Sequence, residues 1–238
     1  MNKPTHTQLL HQHLEVLINA TESGGRLPSE PRLARQLGVS RSTLREAMRT
    51  FETQGFLHRK QGVGTFVVHP TRVIESGLEI LESIETLADR IGFPVSMGDL
   101  IIESQPVTES VAKNLLVDLD GEVICVSRVI LAEDRPVAYL VDTLPNMVLS
   151  PDEVNGGFTG SVLDLLLKRG DPVLCSSRCE ISAVATDLEV ARALNIQRGD
   201  AVLCFESLLY TDDCIPIDYS FSYFLPGYFK FHVVRRVG

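Results

Sequence analysis

The sequence predicts an α+β fold in two parts: a three-helix head closed by a β-hairpin, and a larger body built on an antiparallel sheet. Three observations carry that prediction. Charge is divided by position. Residues 1–72 hold ten Lys/Arg against five Asp/Glu, a balance of +5, whereas residues 73–238 hold twelve against twenty-six, a balance of −14. Apolar residues recur at helical spacing up to about residue 54 and then give way to short extended runs around glycines. An internal repeat occupies much of the remainder. The expected parts are therefore residues 1–72 and 73–238, with different partners. The 44% hydrophobic and 22% charged composition is that of a globular protein. No apolar run approaches the ~20 residues of a membrane helix, and the polar start lacks the core of a secretory signal. Five cysteines, an odd number, suit free thiols in a reducing compartment, so a cytoplasmic location and no membrane partner are expected.

The elements follow in order. Leu10, Leu14, Leu17 and Ile18 form one face of a first helix over Thr7–Ala20, followed by Gly24 and Gly25. Ser29 is the expected N-cap of a short second helix, with Pro31 in its first turn. Leu33, Ala34 and Leu37 are its buried stripe, and Gly38 its left-handed terminator. Val39 plugs the core and Ser40 caps a third helix, Arg41–Gln54. On that helix Leu44, Ala47, Met48 and Phe51 face the core at i, i+3, i+4, i+7, while Arg41, Arg45 and Arg49 line another face. A short helix, a glycine turn and a longer helix with a basic stripe make a helix-turn-helix, whose second helix enters the major groove N-terminus first. Arginine there can donate two hydrogen bonds to guanine. Residues 56–60 and 65–68 flank Gly62-Val63-Gly64 and read as a hairpin, a wing whose tip carries Arg59, Lys60 and Gln61 for phosphate or minor-groove contact.

The segments Leu27-Pro28-Ser29-Glu30, Leu33-Ala34, Leu37 to Arg45, Gly55-Phe56-Leu57 and Gly62 to Val67 resemble the GntR family of bacterial transcriptional regulators. The resemblance implies DNA contacts from Ser40, Arg41, Ser42, Thr43, Arg45 and Gly62. Pro31 stands where the family often has a DNA-touching polar residue, and Arg32 is the expected replacement. A homodimer on a pseudo-palindromic double-stranded operator is also implied.

The body opens with an amphipathic segment, Ile74–Ile91, expected to be one helix with Leu78, Leu81, Ile84, Leu87, Ala88 and Ile91 on its apolar side. Two readings of it stand, a dimer contact or packing on its own domain. The repeat then runs twice. Thr108 caps a helix through Leu116, Gly121 closes a turn, and strands Val123–Leu131 and Val137–Leu144 flank a turn at 132–136. In the second copy Thr186 caps a helix through Leu194, Gly199 closes the turn, and strands Ala201–Tyr210 and Ile217–Leu225 follow. Two helix–hairpin units predict one antiparallel sheet with its helices grouped on one side.

This order, with Ser127 to Ala132, Arg135 to Ala138, Leu144-Pro145, Gly160 to Leu163, Pro216-Ile217 and Phe229-Lys230-Phe231, resembles the UTRA effector-binding domain of the HutC subgroup, whose fold is that of chorismate lyase. The resemblance implies a small-molecule effector that changes DNA affinity. It places Arg128 where related sensors grip anions and Ser161 where they offer a hydroxyl. Ile130, Leu140 and Phe229 replace polar positions of the sugar-phosphate sensors, which argues against a sugar phosphate. Asp142, Tyr219 and Tyr223 are expected to line the same cavity. Arg128 has two readings: a ligand anchor, or the ion-pair partner of Glu206, since each lies seven residues after its repeat's glycine. The body likewise has two readings, an effector sensor or a module that only dimerises.

No catalytic constellation, metal site or cofactor is expected. The body's one histidine, His232, lies among apolar residues. Cys175 and Cys179 share a strand face about 13 Å apart, too far for a disulfide or a common metal. Cys125 and Cys204 read as buried small hydrophobes and Cys214 as an exposed turn thiol.

Overall fold

The computed structural model describes residues 6–22, 24–53, 56–60, 62–68, 74–150, 153, 158 and 160–234. The chain divides into two compact units, residues 1–73 with 225–228, and residues 74–224 with 229–238.

The first unit contains helices α1 (His6–Asn19), α2 (Glu30–Leu37) and α3 (Arg41–Thr53), then the hairpin of β1 (Leu57–Lys60) and β2 (Gly64–Val67). Leu10, Leu14 and Ile18 of α1 pack with Leu33 and Ala34 of α2, Leu44, Ala47, Met48 and Phe51 of α3, and Leu57 and Val67 of the wing. The spacing read from the sequence is the spacing of this core. Gly38 terminates α2 at φ 66°, and its amide closes on the carbonyls of Ala34 and Arg35. Ser40 accepts the Thr43 amide at 3.1 Å, the expected cap of α3. Ser29 departs from expectation: it occupies the cap position of α2 without a side-chain hydrogen bond. Pro31 removes one of the amides a cap hydroxyl serves, and the amides of Arg32 and Leu33 go to the carbonyl of Ser29 instead.

The second unit begins with β3 (Ile74–Gly77), which pairs in parallel with the last strand, β10 (Phe229–His232). Then come α4 (Ile84–Arg90), β4 (Val95–Pro106), α5 (Glu109–Leu115), β5 (Glu122–Ala132), β6 (Arg135–Pro145), α6 (Val162–Arg169), β7 (Leu174–Ala185), α7 (Leu188–Ala193), β8 (Ala201–Thr211) and β9 (Pro216–Phe224). Six strands form one antiparallel sheet in the order β4-β5-β6-β9-β8-β7. The repeat is thus β-α-β-β, with its two copies meeting at the β6–β9 pair, and each gains an outer strand, β4 or β7.

Three expectations are corrected here. Ile74–Ile91 is not one helix. Residues 74–77 are drawn into a β-ladder with β10, Leu78, Ile80 and Leu81 are exposed, and α4 starts only where Ser83 accepts the Thr86 amide at 2.9 Å. Of the segment's apolar positions, Ile84, Leu87 and Ala88 are buried in this unit. The cap of α7 is Asp187, which accepts the Val190 amide at 2.9 Å, whereas the Thr186 hydroxyl donates to the Gln197 carbonyl at 3.1 Å. Finally, helices cover both faces of the sheet. The repeat helices lie on one, with Val107, Leu115, Val123 and Tyr219 in one cluster and Tyr139 donating to Glu189 of α7 at 2.7 Å. On the other, Val162 and Leu166 of α6 pack on Ile124, Val126, Leu144 and Leu209.

Candidate functional site

In the first unit the chemistry sits on α3, its preceding turn and the wing. Ser40, Arg41, Ser42 and Thr43 are all exposed at the start of α3. Their hydroxyls are tied together, Ser40 Oγ lying 2.8 Å from both Ser42 Oγ and Thr43 Oγ1. Arg32 is exposed on α2. Along the basic stripe Arg41 and Arg45 are exposed and Arg49 is half-buried, because its position turns toward the core-facing side. Gly62 holds φ 74° at the exposed wing tip, a left-handed turn that permits close approach of another backbone. Gln61 lies outside the described residues. Lys60 stands over the Phe66 ring, 5.5 Å from its centroid.

Glu30 organises this surface, and sequence reading gave it no role beyond the signature. It is largely buried and takes Nε of Arg45 at 2.7 Å and a guanidinium nitrogen of Arg59. One carboxylate therefore links α2, the recognition helix and the wing. Bonding through Nε leaves the terminal nitrogens of Arg45 for a base edge.

In the second unit, a cavity of about 590 Å³ opens between the sheet and the 76–87 segment. Strand parity decides which side chains reach it. Asp218, Ser220 and Ser222 of β9 point into it, as do Leu140 and Asp142 of β6, Arg128 of β5, and Phe205 and Ser207 of β8. Arg128 is 3% exposed and stands 3.5 Å from both Glu85 of α4 and Asp142. Ser161 lines the cavity and caps α6, accepting the Asp164 amide at 3.2 Å. Asp164 in turn accepts from Ser83 at 2.6 Å, joining the starts of α4 and α6. Burial raises the pKa of Asp142, against the pull of Arg128. Burial first, and then the neighbouring Asp142 charge, hold Asp218 well above the carboxylate range.

Of the expected cavity residues, Arg128, Asp142 and Ser161 are brought together. Tyr219 and Tyr223 are not: they point to the opposite face. There Tyr219 donates to Glu206 at 2.5 Å, and Tyr223 stacks with Tyr139 and Phe221. Glu206 shares that face and so is not the partner of Arg128, whose partners are Glu85 and Asp142. Asp218 and Glu85 went unread in the sequence. A signal for Asp218 existed in β9, where Asp218, Ser220 and Ser222 alternate with Ile217, Tyr219, Phe221 and Tyr223. The polar set faces the cavity and the aromatic set does not.

Burial pushes the thiols of Cys125 and Cys204 up to about 11, so both stay protonated. Among the described residues no three His, Cys, Asp or Glu side chains group as metal ligands would, and no helix is long and apolar enough to cross a membrane.

Comparison with known proteins gives two family matches: bacterial regulatory proteins, gntR family, over residues 8–67, and the UTRA domain over residues 92–230. The HTH-type transcriptional regulator Rv0792c of Mycobacterium tuberculosis is 29% identical, over 97% of this chain and 85% of its own length. The HTH-type transcriptional repressor NagR of Bacillus subtilis is 28% identical, over 100% and 99%. Among solved structures, PhnF from Mycobacterium smegmatis shares the fold with a TM-score of 0.64 at 21% identity, covering 96% of this chain and 100% of that one.

Proposed function

The chain belongs to the gntR family of bacterial regulatory proteins and carries a UTRA domain, and on that premise we propose that it represses transcription from an operator until a small effector enters the cavity of its second unit. The observation that carries the reading is the pairing of two sites on one chain: an exposed, cation-lined recognition helix, and a separate cavity whose floor holds buried charged groups. Arg41 and Arg45 read base edges, while Ser40, Ser42, Thr43, Arg32, Gly62 and Lys60 position the head on phosphates. A homodimer presents two heads to two half-sites, so the operator is a pseudo-palindrome. The chain acts by binding, not by turnover. An effector works only if it binds the DNA-competent and incompetent states with different affinity, and DNA must then change effector affinity by the same factor. The name of the similar NagR supports the repressor sign.

The test is binding of the full chain to DNA from the flanks of its own gene, with and without metabolite pools. Saturable, sequence-dependent binding that a pool weakens is the expected result. Binding that no pool alters would leave the body as a dimerising module only. A ligand-induced rise in melting temperature separates the two directly, since a ligand that binds only the folded state stabilises it.

A further inference from the structure

The polar floor of the cavity is unbalanced. Among the described residues, Oδ2 of Asp142 and Oδ1 of Asp218, both on cavity-lining residues, have no hydrogen-bond donor, and neither do the two Oε atoms of Glu85 behind Arg128. Nε and Nη1 of Arg128 likewise make no hydrogen bond and meet Glu85 Oε1 and Asp142 Oδ2 as ion pairs at 3.5 Å. Arg128 is 3% exposed and Asp218 6%, and both line the cavity. At these atoms Arg128, Glu85 and Asp142 are thus held by long ion pairs and not by hydrogen bonds, Asp218 Oδ1 by neither, and a buried polar group costs free energy until something donates to it.

Charge sharpens the point. Arg128 is the one Lys, Arg or His among the described lining residues, and it already stands against two carboxylates, Glu85 behind it and Asp142 beside it. Two carboxyl groups against one guanidinium, with Asp218 as a third carboxyl on the cavity lining, leave acceptors in excess of donors among the described residues. The mouth adds Glu79 and Glu82. Glu82 is paired with Arg90 at 2.6 Å, and Glu79 accepts the Val234 amide. An anionic ligand would have to displace Glu85 or Asp142 from Arg128 and would deepen the excess.

We propose that the effector is a small organic cation, an amine or amidine on an apolar body, whose charged head donates to Asp142 and Asp218 while Glu85 retains Arg128. The proposal rests on the reading of this cavity as the effector site and names the ligand class. Leu140, Leu163, Phe205 and Phe224 supply the wall for the apolar body, and Ser220 and Ser222 supply further acceptors beside the carboxylates.

The experiment uses the full chain and probes matched in shape but not in charge: benzylamine, benzamidine, benzyl alcohol, benzoate and inorganic phosphate. Thermal shift and calorimetric titration are read for each. Benzylamine and benzamidine are expected to raise the melting temperature and to bind roughly tenfold or more tightly than benzyl alcohol, as a charge-assisted pair should. Asp142→Asn is expected to abolish that advantage. The amine–alcohol comparison needs no variant and stands if Asp142→Asn fails to fold. Stabilisation by benzoate or phosphate, with none by benzylamine, would overturn the cation proposal and leave an effector site in place. If no probe of any charge shifts either the melting temperature or operator affinity, the proposal and the effector reading beneath it both fail.

Discussion

At the scale of single residues, two carboxylates set what the neighbouring arginines do. Glu30 holds Arg45 through Nε at 2.7 Å and also holds Arg59, so the Arg45 guanidinium is oriented before any ligand meets it. Arg45→Ala is expected to cost about 1–3 kcal/mol on the cognate operator and to relax discrimination at one base pair. Equal losses on cognate and scrambled sites, in a direct binding assay, would make Arg45 a phosphate contact instead. Asp218 is the second case. Its pKa is raised by burial and by Asp142, so the folded state holds a proton that the unfolded state releases. A raised carboxyl pKa gives stability that is fully present below about pH 4, the unfolded value, and is lost as pH rises through the folded range. Asp218→Asn keeps the neutral form at every pH. Its melting temperature is expected to fall less than that of the parent between pH 5 and 8. Parallel melting curves across that range would show that Asp218 carries no such proton.

At the scale of elements, what was legible in the sequence is what depends on local periodicity. The three helices and the wing follow from apolar spacing and glycines, and β5, β6, β8 and β9 from turns at both ends. The outer strand β4 was not legible because it is an exposed edge with little burial pattern. The Ile74–Ile91 segment carries helical periodicity by coincidence, and pairing with a strand some 150 residues later overrides it. The repeat was visible, but its register was one residue out. Aligned on Gly121 and Gly199, Arg128 matches Glu206. Aligned on the true caps, Thr108 and Asp187, Cys125 matches Cys204 and Arg128 matches Ser207, which does line the cavity. A one-residue slip moves every side chain to the other face of a sheet. That slip explains why Glu206 was read as the partner of Arg128; Tyr219 and Tyr223 were misplaced because the alternation of polar and aromatic residues along β9 was not read. Asp187→Ala should therefore behave as the loss of a helix cap, costing about 1 kcal/mol in urea denaturation. A cost indistinguishable from zero would return the cap to Thr186 and the repeat to its glycine register.

At the scale of the whole molecule, the chain's net charge of −9 conceals a +5 head and a −14 body. DNA binding by the head gains from release of counterions and weakens with salt, by about 0.9 in log K per log salt for each phosphate neutralised. The body acts in the opposite sense, because its carboxylates are repelled by the same phosphates. That repulsion is itself screened, over about 10 Å at 0.1 M salt and about 3 Å at 1 M. Added salt therefore weakens both the attraction and the repulsion, and the full chain should show a shallower salt dependence than its head charges alone dictate. Neutralising five exposed carboxylates that do not line the cavity, Glu103, Glu109, Asp118, Asp120 and Glu122, to Gln or Asn isolates the effect without touching either site. The variant is expected to bind unrelated DNA more tightly than the parent at low salt, with a steeper slope and a gap that closes as salt rises. Discrimination between operator and unrelated sequence at fixed high salt should be unchanged if, as proposed, base readout lies on α3. Identical salt titrations for the two proteins would mean that the body's charge is not felt at the DNA.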